Sequence, residues 1–258
     1  MSQKLLEVNN LTIKFGGVTA LNDVSIHVSE GEIAALIGPN GAGKTTVFNV
    51  VTGYYAPTSG SFSLAGEDLV GKRPHVIARN GLARTFQNIR LFGDMTALEN
   101  VATAADGLNK SGLVGSLFGA PRSRRDEKIS REKAESLLQF IGLEHRAGQL
   151  ARNLPYGDQR RLEIARALAL EPRVLLLDEP AAGFNPQEKV ELGKLIRKIR
   201  DKGHAVLLIE HDMSLVMNVS DRVMVLDFGN KIADGKPRDI QNDQRVIDAY
   251  LGVTEHDS

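Results

Sequence analysis

Residues 38–46 read Gly38-Pro39-Asn40-Gly41-Ala42-Gly43-Lys44-Thr45-Thr46. The run fits G-x-x-x-x-G-K-[ST], a loop that cradles phosphate. Its flanks are those the motif requires. Ile33-Ala34-Ala35-Leu36-Ile37 is an apolar run of strand length, and Val47-Phe48-Asn49-Val50-Val51 has no Gly or Pro to stop a helix. Strand, loop and helix start together aim successive backbone N–H groups and the positive end of a helix dipole at one point. Gly41 and Gly43 permit backbone angles and a close approach that a side chain would block. In this motif Lys44 reaches the β- and γ-phosphates of a bound nucleotide, and the Thr45 hydroxyl binds Mg²⁺. The loop therefore predicts a nucleoside triphosphate site.

Working outward, the N-terminal residues read as β. Leu6, Val8, Leu11 and Ile13 roughly alternate, Val24-Ser25-Ile26-His27-Val28 alternates strictly, and Asn22-Asp23 is expected between the two strands. Ser61–Gly66 reads as another short strand. Residues 74–84 read as a helix, and Thr85-Phe86-Gln87 as a brief β-like piece. Thr96 and Glu99 form a capping-box pattern. Residues 107–119 are rich in Gly, Ser and Leu, and a basic stretch follows at Arg122-Ser123-Arg124-Arg125. It reads as a solvated face or as a contact for anionic lipid headgroups. Ile129–Ile141 has helical spacing, and Leu154-Pro155-Tyr156-Gly157 opens a further helix, with Pro155 suited to its first turn. Val174-Leu175-Leu176-Leu177 and Ala205-Val206-Leu207-Leu208-Ile209 are continuous apolar runs, as in buried parallel strands. Strands alternating with helices predict an α/β fold with a parallel-sheet core.

Each buried run ends in chemistry. Asp178-Glu179 follows the first, where open α/β sheets place ligands. Asp178 is expected to hold Mg²⁺ and Glu179 to polarise an attacking water as general base. Glu210-His211-Asp212 follows the second, placing His211 to contact a γ-phosphate and that water. Composition bounds the rest. The chain has 258 residues, with Lys+Arg and Asp+Glu both 32, a neutral balance that argues against a general nucleic-acid binder. No Cys is present, which excludes disulfides and thiolate metal sites. No apolar run approaches ~18 residues, and the N-terminus shows no signal-peptide core. The expected location is cytoplasmic.

Taken together, these motifs resemble the ATP-binding subunits of ABC transporters over nearly the whole chain. The resemblance implies the P-loop ABC ATPase fold, a RecA-like parallel-sheet core with an N-terminal antiparallel β subdomain and an inserted α-helical subdomain. It places the core at 1–87 and 161–258 and the helical part at 88–160. It also implies that Phe15 stacks on adenine and that residues 38–46 bind the phosphates. By the same resemblance Gln87 matches the Q-loop glutamine and would link Mg²⁺ and water to a transmembrane partner. Leu154-Pro155-Tyr156-Gly157-Asp158-Gln159 matches the signature that completes the site of a second subunit. Ala181-Ala182-Gly183-Phe184-Asn185 matches the D-loop, and His211 the switch histidine. Two positions depart from the common pattern: Pro155 stands where many signatures carry Ser, and Asn185 where many D-loops carry Asp.

A finer resemblance, to ATPase subunits of branched-chain amino acid importers, rests on the residues around Lys44, on Arg84-Thr85-Phe86-Gln87, on Asp178–Pro186 and on Ala249-Tyr250-Leu251-Gly252. It implies ATP and Mg²⁺ as cofactors. The implied partners are a second ATPase subunit, transmembrane permease subunits and, indirectly, a solute-binding protein, with no nucleic acid. The chain would sit peripherally on the cytoplasmic membrane face. A urea/amide importer, a lipopolysaccharide exporter and a soluble ABC ATPase acting on nucleic acid or ribosomes stand as the alternatives.

Overall fold

A computed structural model describes residues 3–107 and 121–251, with the side chains of 121–124 outside that description. Residues 108–119 of the Gly-, Ser- and Leu-rich run and the side chains of Arg122-Ser123-Arg124 therefore lie outside the described residues. The chain forms two compact units, one made of residues up to Arg84 and from Arg173 onward, the other of Thr85–Pro172.

The first unit holds two sheets. β1 (Lys4–Phe15) and β2 (Val18–Ser29) pair antiparallel and continue through β4 (Ser59–Leu64) to the short β5 (Glu67–Asp68). β2 begins earlier than expected, because Gly16 at φ +57° turns the chain directly into it. Asn22-Asp23 does not separate two strands. It is an irregularity within β2, between the pairs Leu11↔Val24 and Ile13↔Leu21, with Asp23 at φ +55°.

The second sheet runs β10-β9-β3-β8-β7-β6, where β3 is Ile33–Ile37, β6 Leu82–Arg84, β7 Val174–Asp178, β8 Ala205–Ile209, β9 Arg222–Asp227 and β10 Asn230–Gly235. All its pairings are parallel except β9 with β10. Every residue of β3, β7 and β8 is buried, which is why their sequences read as unbroken apolar runs. Helix α1 (Lys44–Val51) joins the two sheets. Its Val47, Phe48 and Val51 share one core with Leu36, Leu176 and Leu207 of the parallel sheet and with Leu6, Val8 and Phe62 of the antiparallel one. Burying a side chain the size of Phe48 contributes about 1.5–3 kcal/mol. The phosphate loop is thus held at both ends by packed elements.

The helix expected over 74–84 stops early. α2 spans Pro74–Arg79, and Gly81 at φ +103° ends it. Leu82-Ala83-Arg84 then pairs with Val174-Leu175-Leu176, so the strand precedes Thr85-Phe86-Gln87 instead of containing it.

The second unit is helical, with α3 (Ala97–Asp106), α4 (Pro121–Ile141) and α5 (Tyr156–Leu168). Thr96 and Glu99 form the expected capping box. α5 runs unbroken past residue 160, and the chain rejoins the first unit at Arg173. Pro155 is not the first helical residue. It is the N-cap, at φ −52° and ψ 150°.

The remaining helices belong to the first unit: α6 (Pro186–Asp201), α7 (Met213–Val219), α8 (Pro237–Gln241) and α9 (Gln244–Leu251). Asn185 caps α6. Its side chain accepts the Glu188 N–H at 3.0 Å while Glu188 accepts the Asn185 N–H at 2.8 Å. Asn185→Ala is expected to cost about 1 kcal/mol in urea unfolding, whereas Asn185→Asp, which also caps well, should stay within a few tenths. An equal loss in both would show that the cap contributes nothing.

Candidate functional site

β3, β8 and β7 lie side by side and parallel, so their C-terminal ends deliver the phosphate loop, Glu210-His211 and Asp178-Glu179 to one edge of the first unit. In the loop, Gly38 has φ +148°, and a Cβ there would stand 2.0 Å from the Leu226 carbonyl oxygen. Gly43 has φ +103°, and a Cβ would meet Leu21 Cδ2 at 2.6 Å. These two glycines are required by neighbouring backbone and core. Pro39, Asn40, Gly41 and Ala42 complete the turn, Thr45 and Thr46 follow Lys44 in the first turn of α1, and nothing lies within 4 Å of a Cβ on Gly41. Lys44 is buried and curls back, its Nζ donating to the carbonyls of Gly38 at 2.7 Å and Pro39 at 2.8 Å. Burial pulls its pKa down, and the carboxylates of Glu179 and Asp178 oppose that shift.

Glu179 has φ +48°, a left-handed conformation costing roughly 1–2 kcal/mol outside glycine. Its N–H donates to the Ile209 carbonyl at 2.9 Å, and its Oε1 lies 2.8 Å from His211 Nε2. The two residues chosen from separate strand ends therefore touch. Asp178 is buried against Arg84, whose guanidinium donates to it at 2.7 Å and to Asn49 Oδ1 of α1 at 2.7 Å. Glu210 laces the neighbouring loops together. It accepts the Ala181 N–H at 2.6 Å and the His211 N–H at 3.1 Å. Burial pushes its carboxyl up in pKa, and these N–H groups draw it part of the way back. Asp212 caps α7 through the Leu215 N–H at 2.8 Å and pairs with Lys189 at 2.6 Å.

Phe15 ends β1 half-exposed, in edge contact with Tyr55 at 5.1 Å between centroids. Arg84, Glu210 and Tyr55 carry no role predicted from sequence, yet each touches a residue that does: Asp178, His211 and Phe15. An Arg just before Gln87 and a Glu just before His211 were the available signals.

Gln87 and the signature belong to the second unit. Arg160, buried in α5, donates to the Phe86 carbonyl at 2.7 Å and to the Gln87 carbonyl. Glu163, one turn on, accepts the Phe86 N–H at 3.2 Å. Two charged side chains on the buried side of α5 thus fasten the Gln87 segment to the signature helix. Leu154 is buried, and Gln159 Nε2 donates to its carbonyl at 2.8 Å. Asp158 pairs with Arg146 at 2.8 Å. Tyr156 and Gly157 occupy the first helical turn, where N–H groups have no intrahelical acceptor.

The family model for ABC transporters matches residues 21–182, from β2 through the phosphate loop and signature to Asp178-Glu179 and beyond. The chain belongs to the ABC transporter family. A second model, for the branched-chain amino acid ATP-binding cassette transporter, matches residues 230–256 of this cassette. The cassette is 50% identical to the high-affinity branched-chain amino acid transport ATP-binding protein LivG of Salmonella typhimurium, over 98% of this chain and 99% of that protein. It is 49% identical to BraF of Pseudomonas aeruginosa, described in the same words, over the same shares. Among solved structures, the ADP conformation of an ATP-binding cassette of an ABC transporter superposes with a TM-score of 0.85 at 32% identity, over 97% of this chain and all of that one. The cassette is therefore an ABC ATPase with the expected fold, and it binds nucleotide. No helix among the described residues is long and apolar enough to cross a membrane.

Proposed function

We propose that this cassette hydrolyses ATP to drive uptake of branched-chain amino acids through transmembrane partner subunits. The observation that carries the catalytic half is the 2.8 Å contact between Glu179 and His211, on the same sheet edge as the phosphate loop. The full-length likeness to branched-chain amino acid transport proteins supports the solute.

In this reading, Lys44 leaves its two loop carbonyls to hold the β- and γ-phosphates, and the amides of residues 41–46 surround them. Phe15 stacks on adenine. Glu179 takes the proton of the attacking water, and His211 holds Glu179 and the γ-phosphate in line. The Thr45 hydroxyl and the Asp178 carboxylate are hard oxygen donors, the kind Mg²⁺ takes in ones and twos beside phosphate oxygens. They are the residues that would hold the ion, with Gln87 joining them. Bound there, Mg²⁺ neutralises charge developing on the phosphates. Arg84 ties the Asp178 carboxylate to Asn49 of α1, the helix that follows the loop.

One chain supplies half of each site. Leu154, Tyr156, Gly157, Asp158 and Gln159 of one subunit face the phosphates bound by another, a homodimer partner or a related ATPase. Closure on ATP and reopening after hydrolysis pass motion through Gln87 to the membrane subunits, with a solute-binding protein acting on those subunits in turn. The cassette sits on the cytoplasmic membrane face.

Pro155 has no hydroxyl for the partner's γ-phosphate, yet as N-cap it leaves the Tyr156 and Gly157 N–H groups at a helix start. Pro155→Ser should raise ATP turnover of the assembled transporter or leave it equal. A clear fall would contradict this account of the signature. The direct test of the proposed role is affinity purification of the tagged chain from membranes. Recovery of permease subunits together with ATPase activity is expected, and an active ATPase that brings down no membrane protein would refute the role.

A further inference from the structure

The Ala249-Tyr250-Leu251-Gly252 segment served above only as a likeness to relatives. Its tyrosine reaches the phosphate loop. α9 turns Val246 inward, and Tyr250 lies one turn later on the same face. The Tyr250 hydroxyl accepts the N–H of Gly38 at 2.9 Å, across 212 residues of sequence. Gly38 is the residue at which β3 gives way to the loop. A Cβ on Gly38 would stand 2.0 Å from the Leu226 carbonyl oxygen, and the Gly38 carbonyl accepts the Lys44 ammonium at 2.7 Å. Tyr250 and Lys44 therefore bond Gly38 at its N–H and its carbonyl, and Leu226 leaves no room for a side chain there. Burial pushes the Tyr250 phenol up in pKa, and the N–H of Gly38 opposes that shift.

We propose that Tyr250 is a positioning residue for nucleotide: the C-terminal helix fixes the first amide of the phosphate loop, and through Gly38 the resting place of Lys44. The inference rests on the phosphate-loop reading given above. It differs from contact with the base or ribose in acting on the phosphates alone.

The test uses the full chain and two probes, Mg·ADP and inorganic pyrophosphate, by calorimetry. Tyr250→Phe keeps the ring and removes the acceptor. Its dissociation constants for both probes should rise by the same factor, about three- to tenfold, as for loss of one hydrogen bond. In ¹⁵N-glycine-labelled protein without nucleotide, the Gly38 amide resonance should move. Ile247→Ala, on the same helix but away from the hydroxyl, measures what loosening the helix alone does, and it should leave both affinities near native. Unchanged affinities in Tyr250→Phe would overturn the inference, as would a loss for Mg·ADP without one for pyrophosphate, or an equal loss in Ile247→Ala. Native pyrophosphate affinity in Lys44→Ala would instead overturn the phosphate-loop reading itself.

Discussion

Glu179→Gln is expected to bind ATP with native affinity and to hydrolyse it about 10²–10⁴-fold more slowly, the range for removing a general base. Glutamine matches glutamate in shape, so the loop after β7 keeps the backbone turn at φ +48° and the bond from its N–H to Ile209. It cannot take a proton from water. Binding and chemistry thus separate in this variant, and ATP held between two subunits should persist as a stable dimer. Single-turnover hydrolysis and gel filtration with and without ATP check both halves. Turnover at the native rate would remove Glu179 from the base role. His211→Ala should slow turnover as well, since it loses the 2.8 Å contact that orients the carboxylate.

The second large effect is at Lys44. Lys44→Ala should weaken nucleotide binding at least about a hundredfold, because two charge-assisted contacts are lost together. The same change removes the ammonium from the carbonyls of Gly38 and Pro39, so a small loss of stability should accompany it. Lys44→Arg is not a rescue. The position is buried, and a planar guanidinium cannot replace a compact ammonium folded between two carbonyls. Fluorescent-nucleotide titration reads the affinity directly, and near-native binding by Lys44→Ala would contradict the assignment of the loop.

What could be read from the sequence was what is written in consecutive residues. The phosphate loop, the buried runs of β3, β7 and β8, and the acidic and histidine residues that end two of them are local patterns, and the parallel sheet puts them where those patterns imply. The partners of these residues were not legible. Arg84 meets Asp178 across 94 positions, and Tyr250 meets Gly38 across 212, so no spacing rule connects them. Arg160 and Glu163 are two charges within a helix, and nothing local in their spacing marks them as buried and bound to the Gln87 segment. The misplaced elements have local causes. The left-handed turn at Gly81 divides a helix pattern from a strand, and an irregularity at Asp23 lets β2 pass through residues that resemble a turn. Asn185, where many D-loops carry Asp, is also the N-cap of the helix that follows, a role set by Glu188 three residues on.

The role proposed here joins an ATPase to one solute class, and that link is most directly measured as ATP hydrolysis by the cassette reconstituted with its copurifying membrane subunits and binding protein. Leucine, isoleucine or valine should stimulate hydrolysis when the binding protein is present, and Glu179→Gln should abolish the response. A complex that hydrolyses ATP without responding to these amino acids, or that responds to urea or short amides instead, would contradict the account.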